Sequence, residues 1–256
     1  MPATPGSTPR SGPERRAVVT GAASGIGLAV ARRLRGEGVG VLAVDINEAG
    51  LAAAKAAGCE TLAADLAEPA ARDRLADAAE GVDYLVNAAG IICLKSIFDI
   101  TVEDWRRVFA VNAEPVFFLC QSIGPRMRPG GAIVNLSSSS AKLASTIEAA
   151  VYAASKTTIL SITRSFAYAL ASRPVRVNAI CPGIIDTPMQ ERVLSEVAKL
   201  RGTTYEALSE ARNKTVPLGR AASAEECAGA IRFLLSDEAA YMTGQAINFT
   251  GGLVQW

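Results

Sequence analysis

The chain has 256 residues, half of them hydrophobic and 5% aromatic, with 26 basic and 25 acidic side chains for a net charge of +1. That length suits one large α/β domain or two small ones, and the near-neutral balance gives no electrostatic footprint for nucleic acid or an anionic membrane. There is no histidine, and the five cysteines (Cys59, Cys93, Cys120, Cys181, Cys227) form no CxxC pair. These two facts argue against Ser-His-Asp hydrolases, Cys-His proteases, zinc sites and a disulfide framework. Acid–base work near neutral pH therefore falls to carboxylates, Tyr, Lys or Cys, and no metal site is expected.

Residues 1–14 are rich in Pro, Gly, Ser and Thr and read as a disordered leader. They lack the apolar stretch of a signal peptide, and no later run is long enough to span a membrane, so a cytoplasmic protein is expected. Strands are predicted at Ala17–Thr20, Gly40–Asp45, Glu60–Ala64, Tyr84–Asn87, Ala132–Leu136, Val175–Ile180 and Gln245–Phe249. Several, such as VLAV and AIVNL, are apolar without alternation, as strands buried on both faces should be. Helical patterns lie between nearly all of them. Repeated β-α-β units predict a single doubly wound, Rossmann-like α/β domain over 15–256: a seven-stranded, mostly parallel sheet with helices on both faces. The charged stretch 189–220 interrupts the rhythm after a late strand and reads as a helical substrate lid.

After the first strand comes Thr20-Gly21-Ala22-Ala23-Ser24-Gly25-Ile26-Gly27, followed by a helical pattern. Glycines allow a tight turn and close approach of backbone to a pyrophosphate, whose charge then faces a helix N-terminus. The spacing TGxxxGIG resembles that of the short-chain dehydrogenase/reductase family. Asp45 closes the second strand, 18 residues after Gly27, where a carboxylate binds ribose hydroxyls and repels a 2′-phosphate. Ser24 stands where NADP-using members often carry Lys or Arg. Both point to NAD. The resemblance further places Asp65 and Leu66 at the adenine pocket. Asn87-Ala88-Ala89-Gly90 resembles the family's NNAG motif, with Ala for the second Asn.

Tyr152 and Lys156 form a YxxxK pair, on one face of a helix by their spacing. Reducing a ketone leaves an alkoxide that needs a proton, and the reverse reaction needs a base for the alcohol. A neighbouring ammonium favours phenolate and draws a tyrosine toward that working range. The resemblance implies that Lys156 also bonds the nicotinamide ribose. It places the active serine at Ser138, three residues after Asn135 and 14 before Tyr152, although Ser139 would give the commoner spacing of 13. It also gives Asn112 a water-holding role in a proton relay. In Pro182-Gly183-Ile184-Ile185-Asp186-Thr187 it matches a PGxxxT turn whose Ile185 backbone and Thr187 grip the carboxamide.

The resemblance runs from residue 17 to about 252 and implies hydride transfer between NAD and a small alcohol or ketone: a polyol, sugar, hydroxy acid or acyloin. Polar candidates around the pocket are Lys95, Lys142, Glu148, Gln190, Arg192 and Arg212, beside the stretches 91–95 and 144–149. Some hydroxy-acid members carry an arginine three residues before the tyrosine; here that residue is Ala149, which argues against carboxylate recognition. Rival readings are a non-catalytic dinucleotide sensor, a 3-oxoacyl reductase, and an NAD-using lyase or epimerase. The resemblance also implies a homo-oligomer, typically a tetramer, to which apolar Leu253, Val254 and Trp256 would contribute. Near the C-terminus Thr250 stands where the family often has Asp.

Overall fold

A computed structural model of the protein describes residues 15–144 and 147–256; the predicted leader 1–14 lies outside the described residues, as do two residues of the pocket stretch 144–149. The main sheet is formed by β1 (Arg16–Thr20), β2 (Gly40–Asp45), β3 (Glu60–Ala63), β4 (Tyr84–Asn87), β5 (Ala132–Leu136), β6 (Arg176–Pro182) and β9 (Ala246–Phe249). Their order is β3-β2-β1-β4-β5-β6-β9, and every pairing is parallel. The predicted strands fall on these within two residues at either end. The largest shift is in β6, which continues through Pro182. Proline lacks the N–H that a ladder needs, but at the last residue of the strand it stays in register opposite Phe249.

Successive strand residues point to opposite faces, and both faces are covered. Ala17 and Val19 of β1 join one apolar cluster with α1 (Gly25–Gly36), α2 (Ala52–Ala56) and α9 (Ala224–Leu235). Val18, between them, joins the other with α3 (Pro69–Ala78), α5 (Glu114–Ile123) and α6 (Ala150–Leu170). This double burial is why the central strands are apolar throughout. α4 (Val102–Asn112) runs ahead of α5, with the break at Ala113 followed by Pro115 in the first turn of α5. Strand order reverses beside β1, so the carboxyl ends of β1 and β4 diverge and open the crevice where such sheets bind ligands.

The stretch 189–220 is largely helical: α7 (Pro188–Arg201) and α8 (Tyr205–Thr215). Thr187 caps α7 and Gly202, at φ +64°, ends it in the left-handed conformation that glycine adopts without a Cβ clash. α7 buries Val193, Leu194, Val197 and Ala198, whereas α8 buries no residue fully. A two-stranded sheet, β7 (Ile185–Asp186) with β8 (Ala222–Ser223), closes the base of this excursion. Strands of two residues carry no periodicity and are not legible as local pattern.

Candidate active site

The glycine loop is closed by contacts that admit no side chain. A Cβ at Gly21, which sits at φ +68°, would lie 2.8 Å from the Ala88 backbone, and one at Gly27 only 2.1 Å from the Gly21 carbonyl oxygen. A Cβ at Gly25, which sits at φ +52°, would lie 3.3 Å from the Thr187 methyl, so the loop and the turn after β6 approach each other here. Ser24 is the N-cap of α1 but its side chain makes no capping bond. The first-turn N–H groups of α1, those of Gly25, Ile26 and Gly27, therefore retain their capacity to bind an anion at the positive end of the helix. Thr20 supplies a contact the sequence reading missed: its hydroxyl oxygen accepts from Ala88 N at 3.0 Å and Ala89 N at 3.1 Å. It ties the loop after β1 to the loop after β4, and a lone threonine at a strand end gave no hint of that.

Asp45 accepts from the N–H groups of Ala23 (3.0 Å) and Asn47 (2.9 Å), which fix its carboxylate at the rim of the glycine loop. Asp65 accepts from Ala67 N at 2.9 Å, and the Leu66 carbonyl accepts from Arg72 at 2.8 Å. Asn87 donates to Asn135 at 2.8 Å while its own Oδ1, fully buried, has no partner among the described residues. A close-approach glycine cradle, an uncapped helix N-terminus and a fixed carboxylate at the second strand form a donor and acceptor set that fits a dinucleotide.

The catalytic candidates meet where α6 faces the ends of β4 and β5. Tyr152 remains partly exposed, yet crowding desolvates its phenol and raises the pKa, with the Ser138 side chain as the hydrogen-bonding group that pulls it back. Ser138 also accepts from Ser140 N at 3.1 Å and caps a short 3-10 turn. Ser139 is buried, and the side chain facing Tyr152 is Ser138. Lys156 is buried; its Nζ lies 5.7 Å from the Tyr152 ring centre and donates to the Leu136 carbonyl at 2.9 Å. Desolvation pulls its pKa down to about 8. Ser137 fixes the same helix by donating to the Lys156 carbonyl at 2.7 Å.

Asn112 sits at the end of α4, at the break before α5. Its Oδ1 accepts from Ile91 N at 2.8 Å, and its Nδ2 donates to the Ile91 carbonyl (3.0 Å) and to Ser155 Oγ (2.9 Å). It therefore clamps the loop after β4 to the helix bearing Tyr152. Gly90 packs against both groups: a Cβ there would lie 3.3 Å from Asn112 Oδ1 and from Lys156 Nζ.

Beyond β6, Pro182 ends the strand, and Gly183 donates to Phe249 at 2.9 Å with Thr250 packed against its Cα. Ile185 lies in β7, and the Thr187 hydroxyl accepts from Gln190 N at 3.3 Å as the cap of α7. Thr250, in the place of the family's aspartate, is buried and accepts from Val254 N at 3.1 Å, while Trp256 is 75% exposed. Of the polar pocket candidates, Lys142 donates to the carbonyls of Ala246 and Trp256 at 3.2 Å. Lys95 pairs with Asp104 at 2.8 Å, and Glu148 holds Arg201 at 2.9 and 2.8 Å. Arg192 lies 3.9 Å from Glu196 on the same helix. The side chains of Gln190 and Arg212 make no such contact among the described residues. Among the described residues no group of three or more His, Cys, Asp or Glu is placed to hold a metal ion, and no helix is long and apolar enough to cross a membrane.

A parallel sheet with its glycine loop at the switch point and a Ser–Tyr–Lys group beside it define a nicotinamide-dependent α/β oxidoreductase. A family model described as enoyl-(acyl carrier protein) reductase matches residues 21–254, and the chain belongs to the short-chain dehydrogenase/reductase family. It is 35% identical to D-threitol dehydrogenase of Mycolicibacterium smegmatis over 92% of this chain and 91% of that one. It is 37% identical to a putative ketoacyl reductase of the monensin polyketide synthase of Streptomyces virginiae, over 93% of this chain and 97% of the relative. Among solved structures, an actinorhodin polyketide ketoreductase variant with NADPH superposes with a TM-score of 0.87 at 31% identity, covering 95% of this chain and 98% of that one.

Proposed function

We propose that the protein is an NAD-dependent oxidoreductase that moves a hydride between the nicotinamide and a small secondary alcohol or ketone, with Tyr152 as general acid and base. The observation that carries this reading is the Tyr152 phenol, faced by Ser138 and with the Lys156 ammonium 5.7 Å from its ring centre. Bound NAD supplies the hydride acceptor and a positive ring that favours phenolate. Ser138 holds the substrate oxygen beside the phenol, and Tyr152 takes or gives the proton at that oxygen. Lys156, whose burial lowers its pKa to about 8, is placed beside the ring to steady the phenolate through space. Asn112 keeps the Ile91 loop and the Tyr152 helix in register.

Gly21, Ser24, Gly25, Ile26 and Gly27 hold the pyrophosphate, Asp65, Leu66, Asn87, Ala88 and Gly90 the adenosine side, and Pro182, Gly183, Ile185 and Thr187 the carboxamide. The choice of NAD over NADP rests on Asp45: a carboxylate fixed by two backbone N–H groups accepts from ribose hydroxyls and repels a 2′-phosphate. α7 and α8 act as the substrate lid. Likeness to a threitol dehydrogenase favours a polyol-sized substrate, and likeness to ketoacyl reductases supports a 3-oxoacyl group as the second reading. Exposed Trp105, Phe117 and Phe118 on α4 and α5 favour a homo-oligomer, with a tetramer as our reading, in the cytoplasm.

The test follows nicotinamide absorbance with polyols, sugars, hydroxy acids and acyloins, offering NAD and NADP in parallel. Reduction of NAD is expected, and Asp45→Ser should open the site to NADP. Turnover with NADP alone would contradict the role given to Asp45.

A further inference from the structure

A cavity of about 200 Å³ lies between α7, α8 and the small β7–β8 sheet, and Gln190, Leu194, Ser209 and Arg212 line it together with Ile184 and Asp186. Ile184 and Asp186 flank Ile185, so the cavity shares a wall with the turn assigned above to the carboxamide. Arg212 and Gln190 are among the polar groups there without a side-chain partner among the described residues. The Arg212 guanidinium makes no hydrogen bond or ion pair among the described residues, and the buried Gln190 Nε2 donates to nothing. Burial and the nearby Arg201 charge both disfavour the charged form of Arg212, but an arginine stays protonated and an unpaired one is costly to bury. Arg201 is itself neutralised by Glu148 and Lys214 by Glu210 at 2.7 Å, and neither carboxylate turns to Arg212. Asp186, the acidic residue on the wall, is exposed and forms no ion pair with it.

We propose that Arg212 and Gln190 form a carboxylate-recognition subsite, which makes the substrate a small hydroxy or oxo acid. This rests on the oxidoreductase reading above. A planar guanidinium presents paired N–H donors that match a carboxylate, and the Gln190 amide adds a further donor. One cation beside a neutral amide balances a monoanion; a phosphate ester would leave negative charge uncompensated. The site also resolves the objection from Ala149: the arginine that some hydroxy-acid members carry before the tyrosine is absent, and the lid supplies one instead.

The experiment is calorimetric titration of the NADH-saturated protein with 3-hydroxybutanoate and glycerate, against 1,3-butanediol and glycerol as their uncharged counterparts and glycerol phosphate as the phosphate arm. Each acid should bind about tenfold or more tightly than its counterpart, the range expected of a charge-assisted hydrogen-bonded pair. Arg212→Gln should remove that preference and Arg212→Lys restore part of it. Gln190→Glu, which keeps the shape but adds a like charge, should remove it too. Binding of the diol, and of NADH, should stay within about twofold throughout, which checks that the variants fold. Equal binding of acid and counterpart by the wild type, an acid preference that survives Arg212→Gln, or tighter binding of glycerol phosphate than glycerate would each overturn the proposal. Arg212-dependent acid binding without NAD reduction would instead refute the oxidoreductase reading and leave the subsite standing.

Discussion

Lys156 and Tyr152 are stacked one turn apart on α6, with the ammonium nitrogen 5.7 Å from the ring centre and bonded to the Leu136 carbonyl rather than to the phenol. The lysine makes no hydrogen bond to the phenol, and β5 fixes its position. The YxxxK spacing leads one to expect this ammonium to favour phenolate. In the structure desolvation comes first and raises the phenol pKa, with Ser138 opposing it.

The same burial makes Lys156 a stability switch. Its pKa falls from 10.5 to about 8, so between those values the unfolded chain binds more protons than the folded one. Stability from this group therefore rises with pH: the penalty is full below about pH 8 and fades as pH climbs toward the ordinary lysine value. Wild type should gain about 1 kcal/mol between pH 7 and 9 relative to Lys156→Met. Thermal or urea unfolding at both pH values measures this, and identical pH slopes for the two proteins would contradict it.

Gly27→Ala should weaken dinucleotide binding. Its Cβ would lie 2.1 Å from the Gly21 carbonyl oxygen, so the loop must open to admit it. NADH affinity should drop by about two orders of magnitude, the loss of one or two well-placed hydrogen bonds to a charged group. Fluorescence titration of NADH reads it directly, and unchanged affinity would show that the loop does not hold the pyrophosphate.

Glu148 and Arg201 join the turn before Tyr152 to the last turn of α7 by two hydrogen bonds of 2.9 and 2.8 Å. Arg201 holds the Glu148 carboxyl below its usual range, so the link survives moderate acid. Glu148→Gln should raise KM by about three- to tenfold with little change in kcat, because a partly exposed pair contributes roughly 1 kcal/mol. The wild-type KM should rise with ionic strength and that of the variant should not. A kcat loss at constant KM would point to a role in chemistry rather than in the lid.

The central strands β1, β4 and β5 were legible because burial on both faces leaves an apolar run, and the more exposed edge strands β3 and β9 because they keep the β-α-β rhythm. The glycine loop and YxxxK pair were legible because the chemistry dictates their spacing. Tertiary contacts were not. Thr20 binding the Ala88 and Ala89 amides, and Asn112 clamping Ile91 to Ser155, join residues 21 to 69 positions apart, beyond the reach of local pattern. Lys142 read as a pocket cation, yet it is held by the carbonyls of Ala246 and Trp256, because a charge in a loop reveals nothing of its partner. Conversely, Arg212 stood among the same polar pocket candidates as Lys142, and only the fold shows it held partly buried without a partner among the described residues.

The most direct test of the central claim is Tyr152→Phe. The substitution removes one hydroxyl and keeps the ring beneath Lys156, so NADH binding should be unchanged while kcat for NAD reduction falls by about 10²–10⁴-fold, the usual contribution of a positioned acid–base group. A variant that turns over at the wild-type rate would contradict the assignment of Tyr152 as the proton-transferring residue.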